Sequence, residues 1–311
     1  MKVLITGGLG QIGSHVAEML LARGDEVVVI DNLATGRKEH LQSQNKLRVI
    51  IDSIANKELV YSLIEEFRPD VIVHAACSYK DPDDWYNDTL TNCVGGSIIV
   101  DAAKAFGVQR LIYFQTALCY GLKPYEQPIT LSHARKPEGS SYAISKTANE
   151  LYIELSGVDY VTFRLANVVG PRNVAGPLPI FYQRLKNNQR CFVTKSRRDF
   201  VYVGDLARTV LKACDGQGHG AYHFSSGSDV SILELYDAVV SAMKIEKYPA
   251  PEIKELGSDD VFSILLDPTK TIQDFGEIEF TSIQETVASA IEYYSEFGTL
   301  GEYTHLRVDN G

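Results

Sequence analysis

Long apolar runs are missing from this chain of 311 residues, so no segment is expected to cross a bilayer and no membrane partner is expected. Basic blocks are missing as well. The net charge is −10, which argues against general nucleic-acid binding. Any bound phosphate must then be held locally, by a helix terminus or a single arginine. The five cysteines (Cys77, Cys93, Cys119, Cys191 and Cys214) lie far apart, and histidines do not cluster. Neither a metal site nor a disulfide framework is expected. Reduced thiols fit a cytoplasmic location. Only Lys2 and the run Val3–Ile5 precede the first glycines, which is not the pattern of a secretory signal. Internal repeats and low-complexity linkers are absent. What remains, 45% hydrophobic and 23% charged residues, suits a soluble globular unit able to bury a core.

The richest signal is at the start. The apolar run Val3–Ile5 ends in Gly7, Gly8, Gly10 and Gly13, and an amphipathic stretch from Ser14 to Arg23 follows at once. Strand, tight turn and helix in that order bring backbone N–H groups and a helix N-terminus to a pyrophosphate. A second apolar run, Val27–Ile30, ends in Asp31, placed where a carboxylate accepts hydrogen bonds from an adenosine ribose.

Further strands are expected at 47–51, 71–75, 110–115 and 160–165, beside those at 2–6 and 26–31. Helices are expected at 12–23, 57–67, 90–106 and 142–156. This alternation predicts an α/β fold with a doubly wound parallel sheet. After Asn167 the pattern loosens around Gly170-Pro171, Gly176-Pro177 and Pro179. Helices near 180–188, 204–214, 231–243 and 282–296 then suggest a smaller α/β lobe, with the chain able to cross back to the first. Lys247–Pro251 reads as a loop, and the tail from Glu302 shows no pattern.

Tyr142 and Lys146 lie one helical turn apart and share a face. An ammonium near a phenol favours the phenolate, so the tyrosine becomes an acid or base near neutral pH. With 17 tyrosines the spacing alone means little, and Tyr182-x-x-x-Lys186 repeats it. Context separates the two. Tyr142 opens a helix downstream of Thr116, a hydroxyl at the carboxyl end of a strand, where ligands bind in such sheets. Tyr182 follows a proline-rich loop and reads as ordinary helix surface.

Taken together, Gly7-x-x-Gly10-x-x-Gly13, Asp31-Asn32-Leu33, His74-Ala75-Ala76, Thr116 with Tyr120-Gly121, Tyr142-x-x-x-Lys146, Arg164-x-x-Asn167-x-x-Gly170-Pro171 and Arg198–Val203 occur in order. The set resembles the extended short-chain dehydrogenase/reductases, in particular the NAD-dependent nucleotide-sugar epimerase/dehydratase family, over roughly residues 1–296. The resemblance implies a Rossmann-type NAD-binding domain over 1–166 and a mainly substrate-binding domain over 167–311. Gly7, Gly10, Gln11, Ile12 and Gly13 would wrap the pyrophosphate. Asp31 and Asn32 would meet the adenosine ribose, favouring NAD over NADP, with Arg37 solvated nearby. Asp52 and Ser53 would border the adenine, and Ala75 and Ala76 would pack along the cofactor. Thr116, Tyr142 and Lys146 would be catalytic, with Tyr142 and Lys146 also touching the cofactor. Lys80, Thr116, Asn167 and Arg198 would bind the nucleotide sugar, a UDP-sugar first of all, and Phe192 or Val193 the base.

Three departures shape the expectation. Related dehydratases carry an Asp-Glu pair after the threonine, where this chain has Ala117 and Leu118. The segment before Arg198 is short. A second diphosphate-binding arginine is missing from Gly257–Phe262, and Arg197 or Arg172 is left to compensate. The implied activity is NAD-dependent epimerisation of a nucleotide-diphosphate sugar at C4 through a 4-keto intermediate. A reductase, dehydrogenase or dehydratase of the same family is the alternative, and a non-catalytic dinucleotide sensor is another. Polysaccharide or lipopolysaccharide precursor synthesis is the implied setting. Apolar excess on helices 90–106 and 142–156 (Ile98, Ile99, Val100, Leu151, Tyr152 and Ile153) suggests a homodimer joined through a four-helix bundle.

Overall fold

The computed structural model describes residues 1–79, 81–246, 248, 250–256 and 262–299. Strands β1 (Lys2–Thr6), β2 (Glu26–Asp31), β3 (Leu47–Ile51), β4 (Val71–His74), β5 (Arg110–Thr116) and β6 (Asp159–Leu165) alternate with helices α1 (Gln11–Arg23), α2 (Lys57–Phe67), α3 (Trp85–Asp88), α4 (Gly96–Ala105) and α5 (Ser141–Ser156). Beyond them come β7 (Asn167–Val169), α6 (Pro177–Lys186), β8 (Phe192–Thr194), β9 (Arg197–Arg198), β10 (Phe200–Tyr202), α7 (Val203–Cys214), β11 (Gly220–Phe224), β12 (Val230–Ser231), α8 (Ile232–Ala242), β13 (Glu252–Lys254), α9 (Thr269–Phe275) and α10 (Ile283–Phe297). The central sheet has seven parallel strands in the order β11-β6-β5-β4-β1-β2-β3. Strand order reverses between β1 and β4, which opens a crevice at their carboxyl ends.

Strand β11 is an element that the sequence pattern does not announce. It pairs with β6 from Gly220↔Val161 to Phe224↔Leu165 and completes the sheet beyond residue 166. Glycines 216, 218 and 220 all take positive φ, so a short strand is set in what reads as a loop. Side chains of α7, β11 and α9 join the core on one face of this sheet. A second core, built from α6, α8 and α10 with β8, forms the smaller lobe. Among the described residues no helix is long and apolar enough to cross a membrane.

The helix expected at 90–106 is wound in two ways. Residues Thr89–Gly95 form a π-helical segment and Gly96 opens α4. Within the wide turn Asn92 is buried, donating to Ser145 Oγ at 3.0 Å and to Ser78 O at 3.1 Å. A π-turn of this kind often marks a functional region. The apolar residues of the two helices also divide. Ile98, Ile99, Val100 and Ile153 are sealed in the subunit's own core, which corrects the expectation that they are surplus to it. Leu151 and Tyr152 remain 43% and 48% exposed, and Ile144 and Leu155 extend their stripe at 54% and 80%.

A buried ion pair ties α5 to β6. Glu150 accepts from Arg164 Nε at 3.0 Å and from Gln115 Nε2 at 3.0 Å, and Arg135 approaches it at 3.3 Å. Its side chain is 0% exposed and that of Arg164 5%. Removing one member of such a pair strands the other, at about 3–5 kcal/mol. Glu150→Gln should therefore lose stability of that order in urea unfolding followed by circular dichroism.

Candidate active site

The glycine turn is held by contact rather than by choice. Gly7 has φ +65°, and a Cβ there would lie 2.6 Å from Ala76 N. A Cβ on Gly13 would lie 2.4 Å from Gly7 O, and one on Gly10 3.3 Å from the same oxygen. The backbone thus packs on itself and presents the start of α1 bare: Gly10 caps it with no side-chain hydrogen bond, and no acid sits in the first turn. Gln11 and Ile12 follow on that turn, and Gln11 Nε2 is buried with no partner. Bare N–H groups, a helix terminus and an unsatisfied amide donor fit a pyrophosphate.

Asp31 ends β2 and is 7% exposed. It accepts from Leu33 N at 2.8 Å and Leu9 N at 2.9 Å, which fixes its direction. Burial pushes the carboxyl up, and the amides of Leu33, Leu9 and Gly10 hold it down. Asn32 lies beside it, accepting from Ala34 N. Asp52 N donates to Asp31 O at 3.1 Å, so Asp52 and Ser53 at the end of β3 join the same rim. Ala75 N and Ala76 N both donate to Thr6, which seats them against the glycine turn. Arg37 donates to Phe297 O at 2.8 Å, at the end of α10.

Across the crevice, Thr116 caps the short turn Ala117–Tyr120. Its Oγ accepts from Leu118 N at 3.2 Å, leaving the hydroxyl proton free to be donated onward. Tyr142 and Lys146 lie on α5, whose first turn is capped by Ser140. Lys146 is 3% exposed, and its ammonium lies 4.1 Å from the Tyr113 ring centroid. Burial pushes it down to about 8, with Cys77 and Glu150 acting the other way. Burial also pushes Tyr142 well above its ordinary range, and Cys77, Tyr79 and Asp88 act in the same direction. Burial is thus the dominant influence on Tyr142, and the Lys146 ammonium lies over the Tyr113 ring. Sequence reasoning missed Cys77, Asp88 and Tyr113. Cys77 directly follows His74-Ala75-Ala76, a signal available to it. Asp88 is 1% exposed, near Ser78 and Ser141, and burial pushes its carboxyl up; nothing in its spacing announces that.

In the second lobe β7 and β10 pair with Asn167 opposite Phe200, so Asn167 meets the turn that follows Arg198. Asn167 Nδ2 donates to Asp199 O at 3.1 Å, and Arg198 donates to Arg197 O at 2.8 Å. Arg197 is bound to Asp229 at 2.7 Å, and Arg172 grips Glu18 with both terminal nitrogens while donating to Ser14 Oγ. Both arginines considered for the missing diphosphate contact are thus engaged with carboxylates in this structure. Val193 is sealed in the lobe core, and the ring of Phe192 carries Arg184 and Lys254 at 5.3 and 4.4 Å. Tyr182 is buried, not on the surface; its hydroxyl donates to Tyr294 O at 3.0 Å, which makes it a packing residue. Lys80 and residues 257–261 lie outside the described residues.

The buried lysine makes a checkable claim on stability. Its folded value, about 8, lies below its ordinary 10.5. Between those values the unfolded chain binds the proton and the folded chain does not, so stability rises with pH there. Below pH 8 the penalty is present in full, on the order of 3 kcal/mol. Lys146→Met should thus be more stable than the parent at pH 7, with the gap narrowing from pH 8 to 10.5. Urea midpoints at pH 7 and pH 10 check both parts.

Comparison with known proteins identifies the family. Residues 3–224 match the model of the NAD dependent epimerase/dehydratase family. The Bordetella bronchiseptica enzyme WbmH, solved with NAD+, is 66% identical with a TM-score of 0.95, over 96% of this chain and 99% of that one. WbmG of the same organism, solved with NAD and UDP, is 40% identical with a TM-score of 0.88, over 95% and 94%. The UDP-glucose 4-epimerase of Mycolicibacterium smegmatis is 29% identical over 313 residues, 94% of this chain and 98% of its own length. The match over residues 3–224 and the similarity along nearly the whole chain show that it belongs to the NAD-dependent epimerase/dehydratase family.

Proposed function

We propose that this protein epimerises a UDP-linked sugar at C4 through a 4-keto intermediate. One observation carries the reading: Thr116 ends β5, Tyr142 and Lys146 lie on the adjacent helix α5, and the residues after Thr116 are Ala117 and Leu118. Loss of water from the sugar would need a proton-transfer pair there, and neither side chain can move a proton. NAD bound by the glycine turn and Asp31 supplies the hydride acceptor and donor at the sugar carbon. Thr116 donates a hydrogen bond to the sugar oxygen and fixes its direction. Tyr142 takes the proton from that oxygen and returns it. Burial keeps the phenol protonated by itself, so its service as base in the first half requires positive charge in the loaded site. Lys146 contributes that charge from within the site and orients the ribose. Asn167 and Arg198 hold the diphosphate while the flat keto sugar turns its other face. WbmG, solved with NAD and UDP together, supports both parts of the ligand assignment.

We also assign the exposed stripe Ile144, Leu151, Tyr152 and Leu155 to a homodimer, with the two α5 helices and their neighbours forming a four-helix bundle. Four apolar side chains on one helix face are an unusual exposure for a monomer.

Proton NMR of the protein with NAD and a panel of UDP-, dTDP-, GDP- and CDP-sugars tests the reaction. Two stereoisomers of a UDP-sugar should interconvert with changed ring-proton couplings and no net NADH, and a keto or deoxy product overturns the proposal. Tyr142→Phe should lower turnover by at least about 1,000-fold while NAD binding persists. Leu155→Glu should convert a dimer mass to a monomer mass in sedimentation equilibrium with unchanged circular dichroism; a monomeric parent sinks the dimer assignment.

A further inference from the structure

His74 is wholly buried at the carboxyl end of β4 and joins two elements that lie far apart in sequence. Its Nδ1 lies 2.7 Å from Thr6 Oγ1, on the residue that leads into the glycine turn. Its Nε2 lies 3.0 Å from Asn149 Nδ2, on α5 three residues after Lys146. With Nδ2 of the amide turned to the ring, it donates to Nε2, and the ring proton sits on Nδ1, donated to Thr6 Oγ1. Thr6 Oγ1 also accepts from Ala76 N at 3.2 Å. One hydroxyl thus gathers the ring of His74 and the backbone that borders Gly7.

The other side of the ring is equally constrained. Tyr113 packs on it with centroids 5.5 Å apart and donates its hydroxyl to Lys146 O at 3.0 Å. The Tyr113 face then receives the Lys146 ammonium. Asn149 itself rests on Gly96 of α4, where a Cβ would lie 2.4 Å from its amide. The catalytic helix is therefore pinned at one level, from Thr6 through His74 to Asn149, and its lysine at the same level through Tyr113.

We propose that His74 is a positioning residue: held by Thr6 and Asn149, it sets the distance between the glycine turn and the face of α5 that carries Tyr142 and Lys146. The proposal rests on the catalytic assignment above. A neutral imidazole is required, since the ring must accept on Nε2. Burial and the nearby Lys146 ammonium hold it neutral, pushing His74 down to about 3. The groups that face this cluster are Lys146 on α5 and Tyr113 on β5; Cys77 and Glu150 face Lys146 in turn. No titration of His74 takes part in the reaction. The ring acts by its length and its two fixed hydrogen bonds.

Near-isosteric variants test the bridge. Thr6→Val and Asn149→Leu should each lower kcat about 10- to 100-fold with KM for the nucleotide sugar unchanged, since a small misplacement costs rate rather than binding. Thr6→Ser should restore the rate. The double variant should lose little more than either single one, because both cut one bridge. A merely structural role would lower Tm and leave kcat untouched well below Tm, and that result overturns the proposal. Nitrogen-15 NMR of histidine-labelled protein supplies a readout free of turnover. His74 should stay neutral from pH 8 to pH 4 with its proton on Nδ1, and Asn149→Leu should disturb that state. Titration near pH 6.5, or a proton on Nε2, refutes the bridge. Tyr142→Phe measured alongside separates the two claims: if it retains turnover, the catalytic assignment fails, and the NMR result still decides whether the bridge exists.

Discussion

Everything in this molecule is organised around a place where two backbones touch. The turn after β1 and the segment after β4 approach so closely that a methyl group on Gly7 would meet Ala76 N at 2.6 Å. A parallel sheet whose order reverses between these strands must open a crevice there. The close approach decides how wide it is. Because Gly13 lies equally close to Gly7, the first turn of α1 cannot drift outward, and its unpaired N–H groups keep one direction. Side chains that line the crevice inherit their positions from this contact. Thr6 and His74 end the two touching strands, and the hydrogen bond between them carries the constraint across to α5.

Burial supplies the second theme. The site encloses a lysine, a histidine, an aspartate and two tyrosines at depths where charge is costly. The chain accepts that cost at Lys146 and holds Tyr142 protonated by itself. Elsewhere charge is met by charge: Arg197 pairs with Asp229, and Arg172 reaches across to Glu18 on α1.

The elements of the first half were legible because each rests on a strong local signal. Val3–Ile5 running into glycines, Val27–Ile30 running into Asp31, and Leu111–Phe114 running into Thr116 mark strand ends, and strand ends are where such sheets bind ligands. The helix expected from 142 begins at Ser141 and is capped by Ser140, whose hydroxyl accepts from Ala143 N. Other features have no local signature. β11 is five residues behind three glycines, and its place is settled by pairing with β6 rather than by its own pattern. The π-turn depends on Asn92 reaching Ser78 and Ser145, 14 and 53 residues away. His74 and Asn149 are 75 residues apart, so no window along the sequence contains both. Arg197 and Arg172 were open as ligand groups because their acidic partners lie 32 and 154 residues distant.

The single tryptophan has an unused value. Trp85 opens α3, three residues before Asp88 and four before the π-turn that touches the catalytic helix, and it is 63% exposed. An indole in water emits at long wavelength and shifts when a neighbour covers it. With no second indole in the chain, intrinsic fluorescence carries the optical record of this one segment, against a background from tyrosine alone. The fold has therefore placed a built-in spectroscopic reporter at the entrance to the π-turn that packs on α5, readable without any label.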